Sequence, residues 1–160
     1  MNQTAPKVEV VSDRIPCLVA TLIDRKLLLP ITAVAEVINT VTMPESGNDK
    51  TPLYGWINWR EQRIPLLSLE HAMGGGRPQL KFENRMAVIN AIGDASGVGF
   101  YAILLQNLPT PIQVNTESIR GGEGETAALV VANVTLGEEQ MIVPDLLAVE
   151  KVVKGFKKGN

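Results

Sequence analysis

Tyr54-Gly55-Trp56-Ile57-Asn58-Trp59-Arg60-Glu61-Gln62-Arg63-Ile64-Pro65-Leu66-Leu67-Ser68-Leu69 consists of two apolar, strand-like runs joined at a polar Arg-Glu-Gln turn. Successive side chains of a strand point to opposite sides, so Ile57 and Trp59 share one face while Trp56, Asn58 and Arg60 share the other. The first face belongs in a core. The second sets an aromatic ring, an amide and a fixed cation together, a combination common at protein interfaces. It is equally compatible with a half-wet hairpin whose arginine stem covers apolar surface.

Upstream of this hairpin, Met1 to Arg14 is polar and reads as a loosely docked leader that cannot bury enough surface to offset its ordering. Cys17 to Ile23 and Lys26 to Leu29 are short apolar runs around Asp24-Arg25, the pattern of a β-hairpin. Ile31, Val34, Ala35 and Ile38 then recur at helical spacing after Pro30, which predicts a short amphipathic helix with Glu36 on its wet side. Glu45 to Pro52 is rich in turn formers and reads as an exposed loop.

Downstream, Leu69 to Met73 predicts a single helical turn, and Gly74-Gly75-Gly76-Arg77-Pro78 predicts a hinge. Arg85 to Ile92, Gly97 to Leu105 and Ile112 to Val114 read as strands, and Gly121 to Glu125 as a loop. Leu129 to Leu136 and Gln140 to Val143 form another hairpin, followed by a helix from Asp145 to Val153 capped by Asp145. A faint repeat relates Ile57-Asn58-Trp59 and Ile64-Pro65-Leu66-Leu67 to Ala132-Asn133-Val134 and Ile142-Val143-Pro144-Asp145-Leu146-Leu147.

These elements predict a mainly β fold of two small barrels, about five strands each, which removes the exposed edges of open sheets. The boundaries expected are a leader over 1–14, one domain over 15–156 with subdomains near 15–76 and 82–150, and a tail over 157–160. Terminal segments are free to exchange between the subdomains. The 160 residues are 45% hydrophobic and 20% charged, enough for one such domain with a real core.

The formal net charge of −2 argues against a nucleic-acid surface, which needs clustered Lys and Arg. Lys154, Lys157 and Lys158 form the only basic cluster, and read as a solubilising end. A single cysteine, Cys17, rules out an intramolecular disulfide and reads as a small buried hydrophobe in a cytoplasmic protein. No apolar run is long enough for an export signal or a membrane helix. His71 is the one histidine, so a histidine-cysteine metal site is excluded by count. Neither glycine-rich run carries the Gly-Lys-Ser/Thr ending of a phosphate loop. No catalytic residues, metal or cofactor are assigned.

Gly55-Trp56-Ile57-Asn58-Trp59-Arg60 followed by Ile64-Pro65-Leu66-Leu67 and Leu69 resembles the signature of CheW-like domains, the coupling proteins of bacterial chemosensory arrays. Leu29-Pro30-Ile31, Val34-Ala35-Glu36-Val37-Ile38, Ala102-Ile103-Leu104-Leu105 and Val143-Pro144-Asp145-Leu146-Leu147 resemble further segments of that family, in its order. The resemblance implies two SH3-like five-stranded barrels sharing a core, without catalysis. It also implies two partners, the cytoplasmic tip of a methyl-accepting chemoreceptor and the regulatory domain of a CheA-type histidine kinase. Carried over by position, Val34, Glu36, Asn58 and Arg60 are expected at or behind partner-binding surfaces, and Trp56 widens the contact face.

The chain departs from the family pattern at Glu61, where glycine follows the arginine, at Ser68 and at Gln106, where aspartates are usual. Trp56 and Trp59 replace small aliphatics. Glu61 is positioned to pair with Arg60 or Arg63. These departures resemble accessory adaptors of the ChpC and PilI kind, which serve type IV pilus motility. A reading from a different class is a small β-barrel enzyme or ligand binder using Asp, Glu and Ser residues, marked by a deep pocket with convergent polar groups.

Overall fold

The structure, a computed structural model, describes residues 14–39, 50–93, 99–122 and 128–156. Eleven strands are present among them: β1 (Arg14–Thr21), β2 (Lys26–Pro30), β3 (Val34–Asn39), β4 (Leu53–Trp59), β5 (Gln62–Leu67), β6 (Arg85–Asn90), β7 (Phe100–Leu105), β8 (Thr110–Asn115), β9 (Ile119–Gly121), β10 (Val130–Leu136) and β11 (Glu139–Pro144). Two helices, α1 (Leu69–Ala72) and α2 (Leu146–Lys154), and a 3-10 turn (Ile31–Ala33) complete them.

The strands form two curled sheets. One is ordered β8-β1-β2-β11-β10-β9 and the other β3-β6-β7-β5-β4. Both follow a single pairing scheme: two antiparallel steps, then one parallel step (β2 with β11, β7 with β5), then an antiparallel hairpin partner. Chain order does not separate them, because β1 and β2 join the sheet completed by β8 to β11 while β3 to β7 make the other. The short β9 is an addition at one edge.

The repeat seen in the sequence is therefore a repeat of structure, in a shifted register. Each hairpin has a two-residue turn, Trp59 opposite Gln62 and Leu136 opposite Glu139, and each carries a bulge near its start. Aligned on these turns, Ile57 matches Val134, not Ala132. Ser68 N donates to Pro52 O at 2.7 Å, and Asp145 N donates to Leu129 O at 2.8 Å, the same closure in both units. Ser68 and Asp145 then cap α1 and α2, accepting from His71 N and Ala148 N.

Three apolar clusters fill the molecule. One lies inside each sheet's curl: Tyr54, Ile57, Trp59, Ile64, Leu66, Met86, Val88, Ala102 and Leu104 in the five-stranded sheet, Cys17, Leu28, Val114, Val134 and Met141 in the six-stranded one. The largest draws on both sheets and α2, with Leu22, Leu27, Leu29, Ile89, Tyr101, Ile103, Val149 and Val153 among its members. Strands β6 and β7 serve two clusters at once, which is why they read as continuous apolar runs rather than alternating ones.

Three expectations are corrected. Residues 31–38 are not a helix: after the 3-10 turn they run as β3 and pair with β6. Val34, Val37 and Ile38 are β-branched and fit a pleated surface, and tertiary pairing overrides the helical spacing. Of the leader expected over 1–14, residues 1–13 lie outside the described residues, and Arg14 is the first residue of β1, paired with Asn115. The triple glycine is a helix stop more than a hinge: Gly74 has φ of 96°, Gly74 N bonds His71 O at 3.0 Å and Gly75 N bonds Glu70 O at 2.9 Å. Just beyond, Arg77 lies 4.6 Å over the Tyr54 ring and donates to Leu53 O at 3.1 Å, while Tyr54 donates its hydroxyl to Pro78 O.

The strand starting at residue 97, the loop over 45–52, the loop over 121–125 and the tail over 157–160 lie partly or wholly outside the described residues. The remaining parts are strand from Phe100, a turn at 50–52 and the end of β9 at Gly121.

Candidate functional site

In the five-stranded sheet, β3 and β4 are the two edges, and they come round to face each other without a backbone ladder between them. The gap is bridged by side chains. Trp59 Nε1 donates to Glu36 Oε1 at 2.9 Å, and Arg60 Nη2 sits 3.3 Å from that oxygen. The Arg60 guanidinium also lies 4.7 Å over the Trp59 ring, whose other neighbour is Phe100 at 4.8 Å, tilted by 58°.

One carboxylate oxygen thus takes both an indole N–H and a guanidinium, and one tryptophan is held between a cation and an aromatic ring. The ring lends the cluster rigidity because it is buried, whereas Glu36 and Arg60 remain open to solvent. An exposed ion pair of this kind contributes about 0.2–1 kcal/mol to stability. Its greater consequence is to fix the direction of Arg60.

The seam between β3 and β4 is an open groove of about 440 Å³, lined by Glu36, Val37, Ile38 and Asn39 on one bank and Asn58, Trp59 and Arg60 on the other, with Met86 in its floor. Three of the five residues singled out from sequence, Glu36, Asn58 and Arg60, meet there. Val34 does not: it packs against the core shared by both sheets. Trp56 is half-buried on the outward face of β4, opposite Pro65, and does not line the groove. The predicted division of faces holds, with Ile57 and Trp59 buried and Asn58 and Arg60 exposed.

Arg60 and Glu61 both have positive φ, 47° and 63°, as a two-residue hairpin turn requires. The equivalent turn of the second unit begins with Gly137, at φ of 65°. An arginine in that conformation is strained, and here it is the residue that reaches Glu36. The anticipated partner for Arg60, Glu61, is therefore replaced by Glu36 of β3.

Missed from sequence were the Trp59 to Glu36 bond, Phe100 behind the indole and Met86 in the floor. Alternation places Trp59 on the core face and helical spacing places Glu36 on a helix, so nothing in the sequence joins them.

Elsewhere, Cys17 is buried and its thiol is pushed above its ordinary value by that burial. No group of three or more His, Cys, Asp and Glu side chains that could hold a metal occurs among the described residues. No helix among them is long and apolar enough to cross a membrane.

The CheW-like domain model matches residues 16–154. The chain belongs to the CheW-like family. Among solved structures, the scaffolding protein TtCheW from Thermoanaerobacter tengcongensis is similar over 82% of this chain and 84% of its own, with a TM-score of 0.68 and 20% identity. That likeness is one of fold, the two SH3-like barrels of CheW-like proteins, and the two curled sheets conform to it. No curated protein sequence gives a match.

Proposed function

We propose that this CheW-like chain is a non-catalytic cytoplasmic adaptor that couples the tip of a methyl-accepting chemoreceptor to the regulatory domain of a CheA-type histidine kinase. The observation that carries the reading is the fixed Glu36-Trp59-Arg60 cluster on the open seam of a CheW-like barrel. Two sheet edges with apolar residues between them offer a groove, and a directed cation on its rim selects a partner by charge. Glu36, Asn58 and Arg60 make the contact surface itself. Val34 supports β3 from the core side, and Trp56 extends the contact on the outward face. The adaptor transmits a signal because its two partners bind with different affinity in different receptor states.

Within the family, we assign it to an accessory role in a type IV pilus chemosensory system, of the ChpC and PilI kind. Supporting this are the tryptophans at 56 and 59 and the strained, charged turn at Arg60-Glu61, which alter the usual contact face. The enzyme or ligand-binder reading is disfavoured by the CheW-like family match and by the breadth of the groove.

The test is a binding titration of purified chain against the kinase regulatory domain and the receptor tip encoded with it. Arg60→Ala is expected to weaken at least one of these by about 1–3 kcal/mol. Unchanged affinity for both sinks the assignment of the seam.

A further inference from the structure

The two sheets follow one strand plan, β8-β1-β2-β11-β10 in the six-stranded sheet and β3-β6-β7-β5-β4 in the five-stranded one, which makes β10 the counterpart of β4. The six-stranded sheet adds β9 on the outer edge of β10. Ile119, Arg120 and Gly121 pair antiparallel with Leu136, Thr135 and Val134, and Gly122 N donates to Asn133 O at 2.7 Å. Aligned on the hairpin turns, these four β10 residues correspond to Trp59, Asn58, Ile57 and Trp56 of β4. There the same edge faces the open groove, and no described strand pairs with it.

The backbone of that edge is set for a ladder. In an antiparallel hairpin with a two-residue turn, the residues flanking the turn exchange hydrogen bonds, and the next pair directs its N–H and C=O groups outward. Trp59 and Gln62 flank the β4–β5 turn, so Asn58 directs both backbone groups into the seam, and Trp56, two residues away, does the same. Their counterparts Thr135 and Asn133 are directed likewise, and the bond from Gly122 N to Asn133 O shows that direction in use.

We propose that the seam takes an extended acidic segment of a partner, added as a short strand antiparallel to β4 and paired through the backbone of Asn58 and Trp56, as β9 is added to β10. The bridge from Trp59 to Glu36 lies at the turn end of β4, and the segment enters beyond it, opposite Asn58, Ile57 and Trp56. Cross-strand neighbours share a face, so the residue opposite Ile57 points inward with it, is apolar, and reaches toward Met86. The residue opposite Asn58 points outward. In β9 that outward residue is Arg120, next to a hairpin whose turn carries Glu138 and Glu139. The β4–β5 hairpin has Arg60 in place of Gly137, Gln62 in place of Glu139 and Arg63 in place of Gln140, and each exchange makes this rim more positive. An acid is therefore the complement here. Glu36 holds one side of Arg60, and the arginine side chain is still 65% exposed, which leaves N–H groups for an incoming carboxylate. The residue opposite Trp56 is glycine by the same comparison, because a Cβ on Gly122 would come within 3.1 Å of the Asn133 backbone.

The test uses the full chain, isotope-labelled, and the peptide acetyl-Ser-Glu-Val-Gly-Ser-amide, with amide shifts and hydrogen exchange followed by NMR. Saturable shifts at Trp56, Ile57 and Asn58, and slowed exchange of the Asn58 amide, are expected. Methylating the peptide's glutamate N–H, which donates to Asn58 O in this pairing, is expected to weaken binding about fivefold through the loss of one hydrogen bond. Lysine in the glutamate's place is expected to weaken it about as much. No saturable shift at these amides, equal binding of the methylated peptide, or equal binding of the lysine peptide overturns the proposal. An Asn58 amide already protected in the free chain shows the edge to be filled from within or by a second copy, and overturns it too.

The proposal rests on the adaptor reading of the seam, yet the two fail separately. Loss of affinity for the kinase domain or receptor tip in Arg60→Ala, with peptides that discriminate by neither N–H nor charge, keeps the adaptor and removes the strand. Discriminating peptides with unaltered partner binding in Arg60→Ala keep the strand site and remove the adaptor assignment.

Discussion

Glu70 and Glu150 perform the same task for opposite halves of the molecule: each sits on the helix that follows one sheet's hairpin and accepts a backbone N–H from a strand connection of the other sheet. They are not at matching positions. Glu70 stands two residues beyond its cap Ser68 and Glu150 five beyond Asp145. The exchange ties the two curls together with part-buried hydrogen bonds from two buried glutamates, in addition to their shared apolar core. It also makes each sheet's turn depend on the other sheet's helix.

Removing the better satisfied of the two tests that dependence. Glu150→Ala leaves the part-buried Ile92 and Gly93 N–H groups without this acceptor, and is expected to destabilise the fold by about 1–3 kcal/mol. Gly93→Ala attacks the same contact from the other side, because its Cβ comes within 2.9 Å of Glu150 Oε1. Equilibrium urea unfolding measures both. An unshifted midpoint in Glu150→Ala contradicts the role given to this carboxylate.

At the β4–β5 turn, strain and function are expected to separate by residue. Glu61 is left-handed at φ of 63° and has no assigned part in the seam, so Glu61→Gly is expected to stabilise the fold by about 1 kcal/mol through relief of that conformation. Partner affinity is expected to stay unchanged. Thermal unfolding reads the first and a binding titration the second. A loss of stability, or a loss of binding, shows that Glu61 contributes more than a turn.

Arg60 is expected to behave in the opposite way. Arg60→Ala removes an exposed pair and a ring contact, which together contribute no more than about 1–2 kcal/mol to stability. The expected signature is a binding loss larger than the change in unfolding free energy. Glu36→Gln, which keeps an acceptor for Trp59 Nε1 yet drops the charge, is expected to lose less stability than Glu36→Ala. A double-mutant cycle across Glu36 and Arg60 gives the coupling directly, and a coupling of zero removes Glu36 as the residue that aims Arg60.

How these elements declared themselves in the sequence follows from their packing. The β4–β5 hairpin was legible because one face is buried and the other is not, which preserves a two-residue period. The helix expected at 31–38 is a strand for a structural reason. A bulge between Val34 and Glu36 breaks the alternation of β3, leaving Ile31, Val34, Ala35 and Ile38 at helical spacing. The three residues of β9 are too few to stand out beside Gly121 and Gly122. Both buried glutamates were invisible because their partners are 47 and 58 residues away and are backbone groups, which no side-chain pattern records. The seam is half legible: Asn58, Arg60 and Glu36 stand out in the sequence, but alternation assigns the Trp59 indole that joins them to the core.

Glu70 also gives the molecule a pH dependence whose sign is fixed. Burial, foremost, raises its carboxyl above the ordinary value of 4.5, so between 4.5 and the raised native value the folded chain holds more protons at this position than the unfolded chain. Stability then falls as pH rises through that window, because ∂ΔG of unfolding with pH follows protons bound by the unfolded state minus those bound by the native state. Below pH 4.5 both states are protonated here, and this contribution is flat. Glu70→Gln is expected to remove the slope contributed by this group and to leave the other carboxyls' contributions in place. Urea midpoints taken at intervals from pH 4.5 to 7.5 on the unaltered chain and on Glu70→Gln provide the measurement. Matching slopes in the two proteins show that Glu70 titrates at its ordinary value, and a steeper fall with rising pH in the variant reverses the sign derived from its burial.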